Sequence, residues 1–162
     1  MDIAPGEPLL ELPEHLLLCP TAALDAPAPF GPALEDCLGG LTDEEALTTY
    51  LCHELGRGAV SFYHPYLAIL PSPDDLGALS CMAWNDAELA ACQDPWLEEE
   101  VARRRRAMRQ EHARVVEGLL HARHPEVFGG DAFAWGPWEY ATLLVQVRIP
   151  RCMWIEGSAP RI

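Results

Sequence analysis

Cys52-His53-Glu54 sets a thiol, an imidazole and a carboxylate side by side, the residue types of a nucleophile, a base and an orienting acid. Their spacing argues against that chemistry. Consecutive helical residues point about 100° apart, so the three side chains do not converge, and the expectation is one buried face and two exposed side chains. Gly56-Arg57-Gly58 has part of the composition of a phosphate loop, but it follows a helix rather than a strand and has neither a lysine nor a third glycine. Arg103–Arg106, with Arg109, Arg114 and Arg123, has the composition of a nuclear address or a nucleic-acid stripe. Glu99 and Glu100 stand four residues before Arg103 and Arg104, which predicts a solvated, self-neutralising helix face instead. His121 and His124 are spaced to share a metal ion. No carboxylate or cysteine nearby completes a credible ligand set, so surface histidines are expected.

Composition narrows the chemistry further. All eleven basic residues are arginine, which excludes a Schiff-base lysine, a phosphate-loop lysine and a lysine general base. A net charge of −14 opposes general affinity for nucleic acid or anionic membrane, so neither is an expected partner. No run approaches the roughly 18–20 apolar residues of a membrane span. The N-terminus has no basic and apolar signal pattern, and an intracellular setting, cytoplasmic or nuclear, is expected. The six cysteines form no Cys-x-x-Cys pair, which predicts mostly buried thiols rather than a zinc ribbon.

The elements that must position these residues are mostly helical. Thr42 and Glu45 form a capping box ahead of Leu47, Tyr50, Leu51 and Leu55, predicting a helix over 43–55. Gly56 and Gly58 stop it, and an aromatic helix, Ser61–Leu70, then runs into Pro71. Asn85 and Glu88 repeat the capping logic. Asp94-Pro95 opens a long helix to about Arg123, with Leu97, Val101, Met108, Val115, Leu119 and Leu120 on one stripe. A last helix is predicted over 137–147. Trp84, Trp135 and Trp138 are expected to pack between helices. Upstream, Pro8–Leu12 and His15–Leu18 are short apolar runs bounded by prolines, which predicts two strands. Ala22–Pro32, rich in proline and alanine, is expected to be an extended connector.

Several stretches, in one order, resemble the SET-domain methyltransferases of the Rubisco large-subunit methyltransferase type. The run Asp2-Ile3, Gly6-Glu7, Leu9-Leu10 and Leu12-Pro13 resembles the first strands of that family. Glu54, Gly58, Ser61, Pro65-Tyr66 and Leu70-Pro71 resemble its E-x-x-x-G-x-x-S-x-W-x-P-Y-x-x-x-L-P signature, with Tyr63 where tryptophan is common. Trp84, Glu88-Leu89 and Gln93 resemble a later segment. The helix after Trp96 resembles the insert that splits such domains, and Tyr140–Arg148 resembles the helix leading into the second half.

The resemblance implies a split α+β domain, predominantly helical in this portion. Residues 1–20 would be N-terminal SET strands, 21–40 a connector, 41–147 the helical insert and 148–162 the entry to the second half. It implies S-adenosylmethionine as cofactor and a protein substrate methylated on lysine or, in some members, histidine. Arg148 matches a cofactor-contacting position, where a guanidinium would pair with the cofactor carboxylate. The Gly-x-Gly strand, the Asn-His pair and the late tyrosine of the family have no counterpart here, and Pro150 replaces an aromatic residue. The expectation is therefore a partial S-adenosylmethionine-dependent protein-lysine N-methyltransferase, incompetent alone, with no catalytic residue assigned and self-association possible through unpaired strands. A non-catalytic helical protein-binding module derived from the insert is the alternative.

Overall fold

The computed structural model describes residues 7–8, 11–78 and 80–148. Its helices are α1 (Pro20–Leu24), α2 (Phe30–Cys37), α3 (Asp43–Arg57), α4 (His64–Leu67), α5 (Asp86–Ala91), α6 (Pro95–His112), α7 (His121–Arg123), α8 (Pro125–Phe128) and α9 (Trp135–Arg148), joined by short 3₁₀ turns. Helix α3 is central and packs most extensively on α9. Around this pair the buried residues Leu34, Leu51, Val101, Leu120, Phe128, Trp138 and Leu144 form one core. Among the described residues no helix is long and apolar enough to cross a membrane.

Local signals place most helix starts. The Thr42 side chain accepts the Glu45 amide while Glu45 accepts the Thr42 amide, closing the capping box. Asn85 accepts the amides of Ala87 and Glu88 at 2.9 and 3.0 Å, and Glu88 answers at the Asn85 amide. Asp94 accepts from Trp96 and Leu97, with Pro95 in the first turn. Helix α3 runs through Gly56 and ends at Gly58, whose φ of +53° suits a residue without a side chain. Gly56 serves packing instead, because a Cβ there would lie 2.7 Å from the Ala132 methyl carbon.

Several expectations change, and the aromatic helix expected over Ser61–Leu70 forms only the single turn His64–Leu67. The two N-terminal strands are not formed: among the described residues there is no strand, and Glu14–Leu16 is a 3₁₀ turn closed by the Leu16 amide on the Pro13 carbonyl at 3.0 Å. A short apolar run without alternation does not distinguish a strand from a segment packed on helices, and Leu18 here packs against the helical core. The helical part of the class stands, and self-association through strand edges loses its basis within these residues. Residues 2–6, 9–10 and 149–162, which carry parts of the first-strand resemblance, of the Pro8–Leu12 run and of the entry to a second half, lie outside the described residues.

The connector 21–40 is helical rather than extended. Phe30 is buried and stacks on His53 with ring centroids 3.9 Å apart, so packing energy outweighs the weak helix propensity of the proline-rich stretch. Gly31 meets the Ala26 and Leu24 carbonyls too closely for a Cβ, which is why α1 and α2 can fold back on each other.

The long helix is continuous in direction but changes type. Ala113–Leu120 is π-helical, and Val115, Val116 and Leu120 are buried there while Leu119 is only partly covered. The wider turn rotates the stripe by about one residue relative to a 3.6-residue repeat, bringing Val116 in and Leu119 outward.

Candidate functional site

Cys52, His53 and Glu54 occupy the C-terminal half of α3 and pack against different neighbours, although His53 Nε2 and Glu54 Oε1 lie 3.9 Å apart. The Cys52 thiol is fully buried and faces the Pro137 carbonyl at 3.7 Å, and burial pushes its pKa up to about 12. It is therefore a protonated packing group, not a nucleophile. His53 lies against Phe30, and burial, opposed by the charge of Glu54, lowers its pKa. Glu54 departs from expectation, because it is 1% exposed.

Glu54 is the node of the stretch. It accepts the Arg57 guanidinium at 2.8 Å and the Ser61 hydroxyl. Ser61 is itself buried and accepts the Tyr63 amide at 3.0 Å, and the Tyr63 hydroxyl donates to the Leu17 carbonyl at 3.2 Å. At the far end the Tyr140 hydroxyl on α9 holds the Pro71 carbonyl at 2.8 Å. A buried carboxylate needs such donors, since an unpaired charge in the interior costs several kcal/mol, of order 3–5. The residues of the E-x-x-x-G-x-x-S signature are thus each other's hydrogen-bond partners, or sit beside them.

The arginines of the long helix spread over different elements rather than forming one basic stripe. Glu100 takes both Arg103 and Arg104, at 2.7 and 2.6 Å, so the pairing uses one glutamate where two were expected. Arg105 turns inward to the Met82 and Trp84 carbonyls. Arg109 lies over the Trp135 ring, 4.5 Å from its centroid. Arg114 ties to Gly40 and Glu45, and Arg123 to the Asp36 carbonyl. Arg105, Arg109, Arg114 and Arg123 thus fasten α6 or its extension to another part of the fold.

His124 is not a simple surface histidine. Its Nε2 meets Asp36 at 3.1 Å, and Asp36, Cys37 and His124 offer ligand atoms that all lie within 4.8 Å of one another. Sequence proximity gave no sign of this, because α2 supplies two of the three groups. The Arg123 guanidinium stands 3.6 Å from Asp36, and burial raises the Cys37 pKa, so a cation already shares the carboxylate and the thiol stays protonated. His112, which no motif singled out, is buried, bonded to the Phe133 carbonyl at 3.0 Å and set edge-on to Trp135 and Trp138.

Two hollows flank α3 and α9 and share no lining residue. One is an apolar groove of about 360 Å³ in which Leu16–Leu18 meet Leu51, Tyr63, Leu144 and Val145. Beside it Val60, Phe62 and Ile69 stand exposed. The other is a larger cavity between α3, α6 and α9. Arg148, the position matched to a cofactor contact, is the last residue of α9, three residues beyond Val145 of the groove. Compared with protein-family profiles, with curated proteins and with solved structures, the chain has no match.

Proposed function

We propose that this chain is the helical-insert portion of a SET-type protein methyltransferase, a family that transfers a methyl group from S-adenosylmethionine to lysine or histidine side chains. One observation carries the reading: the segment entering the helical body and the helix leaving it meet in one apolar groove. Leu16–Leu18 and Leu144–Val145 line that groove together, and Tyr63 bonds the Leu17 backbone. A unit inserted into another fold needs its entry and exit side by side. The resemblance in the Glu54–Pro71 stretch adds support, since its residues form the hydrogen-bonded junction next to the groove.

In this reading the chain scaffolds the chemistry rather than performing it. Methyl transfer requires an amine aligned with the sulfonium methyl in a dry site, and the described residues assemble no such constellation. Arg148 would carry the one cofactor contact, to the carboxylate of S-adenosylmethionine. Sequencing the transcript through both ends tests the proposal. An in-frame Gly-x-Gly segment upstream and an Asn-His pair downstream are expected, and an in-frame stop codon on each side would overturn it.

The exposed Val60, Phe62 and Ile69 favour a second reading, a non-catalytic helical module that holds a protein partner. Isothermal titration separates the two when applied to the product of the full transcript. Tight S-adenosylmethionine binding, lost in Arg148→Ala, belongs to the first reading, and no binding at millimolar cofactor belongs to the second.

A further inference from the structure

The cavity between α3, α6 and α9 has a volume of about 770 Å³, within the roughly 300–1,000 Å³ range of small-molecule sites. Leu55, Leu76, Met82 and Leu143 give it an apolar lining. Its polar groups are unequal in what they have left to offer. Tyr140 is committed to Pro71, the Cys52 thiol to Pro137, and Arg105 to the Met82 and Trp84 carbonyls. Arg109 and Glu139 are not committed. Both line the cavity, one from α6 and one from α9, and neither has a side-chain hydrogen bond or ion pair to any described residue.

An unpaired guanidinium and an unpaired carboxylate that share a cavity without pairing are complementary to a ligand with both charges. Arg109 rests over the Trp135 ring, a contact that restricts the side chain before any ligand arrives and lowers the entropy lost on binding. We propose that this cavity binds a small apolar zwitterion of the hydrophobic dipeptide class, its carboxylate on Arg109, its ammonium on Glu139 and its side chains on the leucine and methionine lining. A plain fatty carboxylate would leave Glu139 against an apolar tail, and a plain amine would leave Arg109 without an anion. The inference does not rest on the methyltransferase reading, because the groove and the cavity have no residue in common.

Isothermal titration of the whole chain with phenylalanyl-leucine, 3-phenylpropionate and 2-phenylethylamine tests it. The dipeptide is expected to bind with a Kd of about 1 mM or tighter, and each single-charge probe more weakly. Arg109→Ala should weaken the dipeptide and phenylpropionate about tenfold or more and leave phenylethylamine unchanged. Glu139→Gln should do the reverse for the two single-charge probes. Arg109→Lys, which keeps the charge and loses the fork, should fall between wild type and alanine. Absence of dipeptide binding at 10 mM (about tenfold above the expected Kd), or equal affinity in wild type and both charge variants, would overturn the proposal.

Discussion

Glu54 and Glu100 are the same residue with the same kind of partners, an arginine three positions on and one further donor, yet they do different jobs. Glu54 is sealed beneath the turn after α3, 1% exposed, and binds Arg57 and Ser61. Glu100 is partly exposed on α6 and binds the exposed Arg103 and Arg104. In water the charges are already solvated and the pairing adds little, whereas in the interior the donors replace a hydration shell that folding removed. Burial, not the list of partners, makes one carboxylate structural.

That contrast can be broken by substitution. Glu54→Ala removes the acceptor of a buried hydroxyl and the partner of a half-covered arginine, and a loss of about 3 kcal/mol in urea unfolding is expected. A loss under about 1 kcal/mol would put Glu54 on the same footing as a surface pair. Ser61→Ala, which unseats both Glu54 and the Tyr63 amide, should cost about 2 kcal/mol by the same measurement. Tyr63→Phe deletes the bond to Leu17 and the hydroxyl contact with Tyr50, so about 1 kcal/mol is expected, together with faster amide hydrogen exchange along 16–18.

The pH dependence sharpens the contrast. Burial lowers the pKa of His53, so the unfolded chain takes up the proton first as pH falls. His53 therefore contributes stability above its unfolded value of about 6.5 that is lost on acidification below it. His53→Phe should flatten the stability profile below about pH 6.5 in thermal melts. The smallest effect belongs to Glu100. Hydrogen bonds from Arg103 and Arg104 hold its pKa down to about 2, so its contribution is present above the usual glutamate range and fades as pH falls towards 2. Because the pair is open to water, Glu100→Gln should leave the neutral-pH melting temperature within error.

Legibility in the sequence followed the range of the interaction. The caps at Thr42, Asn85 and Asp94 were readable because donor and acceptor lie two or three residues apart, and the burial of Trp138 followed from its place with Leu143 and Leu144 on the last helix. The two apolar N-terminal runs misled because too few residues separate their turns to show a period, and the proline-rich connector misled because Phe30 finds its partner on α3. The Asp36-Cys37-His124 cluster was invisible for the same reason, with close to ninety residues between α2 and His124.

The sequence by itself determined where the helices begin, that α3 stops at a glycine with positive φ, and that lysine chemistry is excluded. These are properties of a residue and its neighbours within one helical turn. Only the tertiary structure decided that Glu54 is buried, that Arg109 pairs with no described residue beside a cavity, and that Leu17 and Val145 share a groove. Burial and pairing depend on surfaces brought together from distant parts of the chain, and no local pattern records which surfaces those will be.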